Sequence, residues 1–186
     1  MDKNLEKSVR EEFFKRREAE SKDFESTVTV GFPVYDEKEV LAALDCLLNL
    51  RLSQGPIVKE FEKEAADYMD VPHAVAVNSG TSANMLALAS LINLGMIKPG
   101  DEVIVPAATF SSVVSPIYQL GLVPVYVDVG KTDWFMDVDE VSKSISDKTK
   151  VIMPVYNLGF PGEIEKIVGL AEEKQLKILE DCCEDR

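Results

Sequence analysis

From about residue 71 onward, short apolar runs of strand length take turns with longer stretches whose apolar positions recur every three or four residues. This pattern predicts strands over 73–78 (HAVAVN), 102–107, 123–129, 150–155 and 177–182, and helices over 81–96, 111–121, 138–145 and 163–175. The strand runs are continuously apolar, which a strand needs only when both faces of its sheet are covered. The expected class is therefore α/β with a mostly parallel central sheet. Ligands of such sheets sit outside the carboxyl ends of the strands. Asn78 to Ser82, Thr109 to Ser111, Tyr156 with Asn157, and Glu180 with Asp181 all fall at those ends.

The first 70 residues follow a different pattern. Residues 4–24 are rich in helix formers, with Leu5, Val9, Phe13 and Phe14 at helical spacing, and read as an amphipathic arm that packs on a neighbour while most of its charges face solvent. After a Gly-Phe-Pro break, Asp36 is placed to cap a helix running to about residue 50. SQGP makes a turn, and a second helix is expected over 58–69. The expected organisation is an arm over 1–31 and part of a larger domain over 32–186. No internal repeat or low-complexity segment interrupts it. The chain stops directly after a buried-looking strand with no covering helix, so a truncated product is expected.

Composition narrows the function. A chain of 186 residues with 46% hydrophobic and 28% charged residues can bury a real core. Its net charge of −13, with no basic run, speaks against nucleic acid and anionic membranes as partners and leaves any anionic substrate to be held by local groups. The charged first thirty residues and strand-sized apolar runs predict neither signal peptide nor membrane span, and hence a cytosolic protein. Cys46, Cys182 and Cys183 are an odd set without zinc-site spacing and read as reduced structural thiols. His73, the sole histidine, precedes the first expected strand at the wrong end for catalysis and is assigned a structural role.

Three features can carry chemistry. Asn78-Ser79-Gly80-Thr81-Ser82-Ala83-Asn84 joins a strand to a helix, where unpaired N–H groups and the positive end of the helix dipole bind phosphate; an ordinary Ser/Thr helix cap fits the spacing equally well. Asp181 closes an apolar strand, where a carboxylate needs a cationic or hydrogen-bonding partner, such as a protonated pyridine nitrogen. Its position alone favours capping of a following helix. Phe110 can cover one face of an aromatic cofactor or pack in the core.

The order and spacing of these features resemble the DegT/DnrJ/EryC1/StrS family of sugar aminotransferases and dehydratases, which has the aspartate-aminotransferase-like (type I) fold. The resemblance covers residues 32–183. It is carried by Gly55-Pro56 with Phe61-Glu62, the Asn78 to Asn84 run, Lys98-Pro99-Gly100-Asp101-Glu102-Val103-Ile104, Thr109-Phe110, Gly121 with Pro124 and Asp128, and Glu180-Asp181-Cys182. It implies that Gly80 and Thr81, with Ser82, hold the phosphate of pyridoxal 5'-phosphate (PLP) or pyridoxamine 5'-phosphate (PMP), that Phe110 stacks on the ring, and that Asp181 pairs with its nitrogen. It also implies a nucleotide-sugar substrate, an amino donor such as glutamate, and a homodimer.

Three departures from the family pattern stand out. Glu184 occupies the position where Gln or His often approaches the cofactor's phenolic oxygen, and a second carboxylate there is expected to be protonated or turned away. In place of a His-Leu-Tyr-Gly-like run the chain reads Tyr156-Asn157-Leu158-Gly159-Phe160-Pro161, closer to the 3-dehydratase branch. The Schiff-base lysine, or the histidine that replaces it in the dehydratases, is expected beyond Arg186, so these 186 residues alone are expected to be inactive. The leading expectation is a PLP-dependent transaminase of nucleotide-linked keto-sugars, the alternatives being a PMP-dependent 3-dehydratase or a non-catalytic scaffold.

Overall fold

The computed structural model describes residues 2–21 and 34–184 and divides the chain into two compact units, Met1–Ala76 and Val77–Arg186. The expected end of the arm at residue 31, and the last residues of its predicted helix, lie outside the described residues. No helix among the described residues is long and apolar enough to cross a membrane.

The first unit is helical. Helix α1 (Lys3–Ser21) carries Arg10, which pairs with Glu6 one turn back and with Glu37, at the start of α2 (Glu37–Leu48). Phe13 of α1 lies 5.9 Å from the Tyr35 ring. Asp36 caps α2 as expected: its carboxylate accepts from Lys38 N at 2.7 Å while Glu39 accepts from Asp36 N at 2.8 Å. Helix α3 (Pro56–Tyr68) starts two residues before its predicted onset, because Pro56 suits the first helical position, where no N–H is needed.

The second unit is the α/β unit. It runs α4 (Gly80–Asn93), β1 (Glu102–Pro106), α5 (Ser111–Gln119), β2 (Val123–Val127), α6 (Val138–Ser144), β3 (Thr149–Ile152), a 3-10 turn (Asn157–Gly159), α7 (Ile164–Lys174) and β4 (Lys177–Ile178). All strand pairs are parallel, in the order β2-β1-β3-β4. Successive side chains of a strand point to opposite faces. Val103, Val105, Val151 and Met153 accordingly pack with Leu88 of α4 and Val113 and Ile117 of α5. Ile104 and Ile152 pack on the other face with Val141 of α6, Ile167 and Ala171 of α7, and the loop residues Phe135 and Met136.

Two expectations need correction. Residues 73–78 form no strand: among the described residues they have no ladder partner, Val75 and Val77 are exposed, and the boundary between the units falls inside the segment. An apolar run predicts burial, but a strand also needs a neighbour to accept its hydrogen bonds. The last strand, predicted over 177–182, is reduced to Lys177–Ile178. Its parallel track against β3 nevertheless continues, with Leu179 N donating to Ile152 O, Asp181 N to Pro154 O and Tyr156 N to Asp181 O, so Asp181 is fixed by its backbone.

Candidate functional site

The chain passes from β1 to β2 on one side and then returns to place β3 on the other side of β1. The loops leaving β1 and β3 therefore diverge, and such a switch point opens a crevice at the carboxyl edge of the sheet. A cleft of about 240 Å³ lies there, lined by Gly80, Thr81, Phe110, Tyr156, Asp181 and Cys183, among others. A second, more open recess of about 400 Å³ shares Phe110, Asn157 and Glu184 with it and adds Thr109, Trp134 and Leu158.

One wall of the cleft is the start of α4. Ser79 caps the helix, its hydroxyl accepting from Ser82 N at 3.2 Å. That leaves the N–H groups of Gly80 and Thr81 without an acceptor among the described residues, an arrangement suited to an anion. A Cβ at Gly80 would fall 2.5 Å from Cys183 Sγ, so any larger residue there requires the thiol to rotate away. Ser82 uses its N–H in the cap and does not line the cleft.

The floor is Asp181, only 5% exposed. Its Oδ2 accepts from Asn84 Nδ2 at 2.8 Å and its Oδ1 from Cys183 N at 3.1 Å. No cation among the described residues pairs with it. A buried carboxylate held by neutral donors alone can take a cationic ligand group. The hydrogen bond between the Cys183 thiol and Asp181, helped by partial burial and by the negative charges of Asp181 and Glu184, pushes the thiol up to about 11. The thiol therefore stays protonated at neutral pH.

Phe110 precedes α5 and is two-thirds exposed, so its ring is open to an aromatic ligand. Beside it the Thr109 hydroxyl is buried with no hydrogen-bond partner. Asn157 bridges the loops, donating to Ala108 O at 3.1 Å and Trp134 O at 3.2 Å. The Glu184 carboxylate accepts from Leu158 N and so lies on the loop after β3, while Tyr156 OH donates to Glu180.

The fold thus brings Gly80, Thr81, Phe110, Asp181 and Glu184 to one cleft. Sequence reasoning passed over Asn84, Cys183 and Trp134 as site residues. Asn84 left one usable signal: it is a polar residue one helical turn before Leu88, on the buried face of α4. None of the three cysteines forms a disulfide among the described residues.

Known proteins resemble the chain in sequence and in fold. The chain is 37% identical over 163 residues to GDP-4-keto-6-deoxy-D-mannose 3-dehydratase of Yersinia pseudotuberculosis, covering 84% of this chain and 42% of the relative. It is 38% identical over 157 residues to GDP-perosamine synthase of Escherichia coli O157:H7, covering 82% and 42%. A solved structure of GDP-4-keto-6-deoxymannose-3-dehydratase with a trapped PLP-glutamate geminal diamine superposes with a TM-score of 0.79 at 30% identity, over 86% of this chain and 42% of that one. The chain spans well under half the length of these relatives. The expected fold is the one found, a partial α/β domain of the PLP-dependent aminotransferase type. With residues 33–185 matching its family model, the chain belongs to the DegT/DnrJ/EryC1/StrS aminotransferase family.

Proposed function

We propose that the carboxyl edge of the sheet is the cofactor cradle of a PLP- or PMP-dependent enzyme that transaminates a nucleotide-linked keto-sugar. The observation that carries this reading is Asp181, a buried carboxylate on the cleft floor that accepts from neutral donors only. The chemistry of the donor set fits the group. The open N–H groups of α4 suit a phosphate, the exposed face of Phe110 suits an aromatic ring, and Asp181 suits a protonated ring nitrogen. When bound, such a cofactor supplies an electron sink for proton removal from carbon.

In this reading Gly80 and Thr81 bind the phosphate, Ser82, expected to join them, caps the helix instead, and Phe110 covers one ring face and excludes water from it. Asp181 holds the proton at the ring nitrogen. Glu184 keeps its carboxylate on Leu158 N. The same proposal takes glutamate as amino donor, a homodimer as the working assembly and the cytosol as compartment. It assigns residues 1–31 to an arm and 32–186 to part of the large domain, with the lysine that carries protons between cofactor and sugar lying beyond Arg186.

A 3-dehydratase, which removes a sugar hydroxyl with PMP, is the second reading. It is favoured by the Tyr156-Asn157-Leu158-Gly159-Phe160-Pro161 loop and by the similarity to the Yersinia 3-dehydratase. The full-length protein, given a nucleotide-linked 4-keto-6-deoxyhexose and glutamate, separates the two by product: an amino sugar for transamination, a 3-deoxy keto-sugar for dehydration. The cradle itself is tested by titrating PLP into wild type and Asp181→Ala. The substitution is expected to weaken binding by about a hundredfold, on the scale of a buried charge-assisted hydrogen bond. Equal affinities would remove Asp181 from the site.

A further inference from the structure

Helix α4 turns two residues into the interior, Asn84 and Leu88, one turn apart. Leu88 is fully buried among apolar neighbours, as that face of the helix demands. Asn84 is equally out of reach of solvent, at 5% exposure, yet carries an amide that must be satisfied wherever it is buried. Its Nδ2 has two acceptors in range. One is the carbonyl oxygen of Ser112 in α5, at a marginal 3.4 Å. The other is Oδ2 of Asp181, at 2.8 Å and 97 residues away in sequence. The shorter bond is to an ionisable group, the kind of hydrogen bond that is the stronger. If Asn84 served only to join α4 to α5, the short bond would go to Ser112.

Asp181 is already fixed along its backbone by Pro154 and Tyr156 in the segment after β3, and the N–H of Cys183 holds its Oδ1. A carboxylate held at one oxygen can still swing about its side-chain torsions, and terminal torsions of this type are broad. A second donor on the other oxygen, projected from a different element, removes that freedom and points the remaining lone pairs at the cleft that Asp181 lines.

We propose that Asn84 is a positioning residue that sets the orientation of the Asp181 carboxylate toward the cofactor's ring nitrogen. The inference rests on the cradle reading above, in which Asp181 meets that nitrogen. Asn84 itself does not line the cleft.

The test compares two ligands on the full-length apoprotein, PLP and deazapyridoxal phosphate, in which a C–H replaces the ring nitrogen. Affinities are read by fluorescence titration of wild type, Asn84→Ala, Asn84→Leu and Asp181→Ala. Asn84→Ala is expected to weaken PLP binding by about tenfold, the scale of one hydrogen bond to a charged group, and to leave deazapyridoxal phosphate within about twofold of wild type. Asn84→Leu keeps the volume but cannot donate, so it gives the same selective loss if the alanine variant does not fold. Asn84→Ala combined with Asp181→Ala is expected to bind PLP no more weakly than Asp181→Ala alone, because both act through one carboxylate. Equal losses for the two ligands, or no loss for either, overturn the positioning role while leaving the cradle intact, provided that Asp181→Ala itself discriminates between them. If Asp181→Ala does not discriminate, the cradle reading fails and the inference falls with it.

Discussion

The two edges of the parallel sheet treat their polar groups in opposite ways. At the amino edge, polar groups find partners nearby. The Glu102 carboxylate accepts from Ser146 Oγ at 2.5 Å and Thr149 Oγ1 at 3.2 Å, Asp101 accepts from Lys98 N at 2.8 Å, and Gly100, at φ +90° in the turn before β1, donates to Gly121 O at 2.8 Å. At the carboxyl edge the Thr109 hydroxyl is buried without a partner, Trp134 and Leu158 hold positive φ angles of 56° and 57°, and α4 begins with open N–H groups. Left-handed backbone at non-glycine residues and unpaired buried polar atoms both cost stability. Gln175, just before β4 at the amino edge, also holds a φ of 56°, so it is the unpaired polar groups, not the left-handed backbone, that separate the part of the sheet that holds the fold from the part arranged for a ligand.

The strongest way to break this contrast is to damage the closed edge. Asp101 is 7% exposed and anchors the turn that feeds β1. Asp101→Ala is expected to cost about 2 kcal/mol of stability, the usual scale for removing a buried charged acceptor. Urea unfolding measures that loss, and PLP affinity under native conditions should not change. A loss of affinity with intact stability would show that the edges are not divided in this way.

The opposite sign is expected at the open edge. Thr109→Val keeps the shape and removes the orphaned hydroxyl, so stability should rise by up to about 1 kcal/mol, because a buried unsatisfied group is no longer held out of water. If the hydroxyl waits for a ligand, the same variant binds PLP more weakly than wild type does. A gain in stability with unchanged affinity would make Thr109 an ordinary packing defect.

How legible these edges were in the sequence follows from the same division. Val103-Ile104-Val105 and Val151-Ile152-Met153 announce their strands because both faces of the sheet are buried, and burial is what an apolar run records. HAVAVN shows the same composition and forms no strand, since a ladder partner cannot be read from the segment itself. The β2-β1-β3-β4 order, which creates the crevice, is likewise a property of pairing across the chain. In the site, Gly80, Thr81, Phe110 and Asp181 were visible because strand ends and helix starts are local. Asn84 was not, since its meaning depends on a carboxylate 97 residues away. The left-handed backbones of Trp134 and Leu158 leave no compositional trace, as neither is a residue type that favours that region.

The finest probe of the open edge is the thiol beside Asp181. In the folded protein Cys183 titrates at about 11, pushed up first by its hydrogen bond to Asp181, then by partial burial and by the nearby carboxylates. In an unfolded chain a thiol titrates near 8.5. The raised value means that folding favours the protonated form. This small contribution to stability is complete below the unfolded value, declines above it, and is lost as pH rises through about 11. Alkylation follows the thiolate, so the rate of iodoacetamide modification at Cys183, resolved by peptide mass mapping, should still be climbing at pH 10 in the native protein and should level off near pH 9 in denaturant. Asp181→Asn removes the charge and much of the hydrogen bond to the thiol. It is expected to shift the native profile toward the denatured one, whereas Asp101→Ala at the closed edge should leave it in place. A native profile that already matches the denatured one would mean that the thiol does not donate to Asp181, and the carboxylate would then be held by Asn84 and the Cys183 N–H alone.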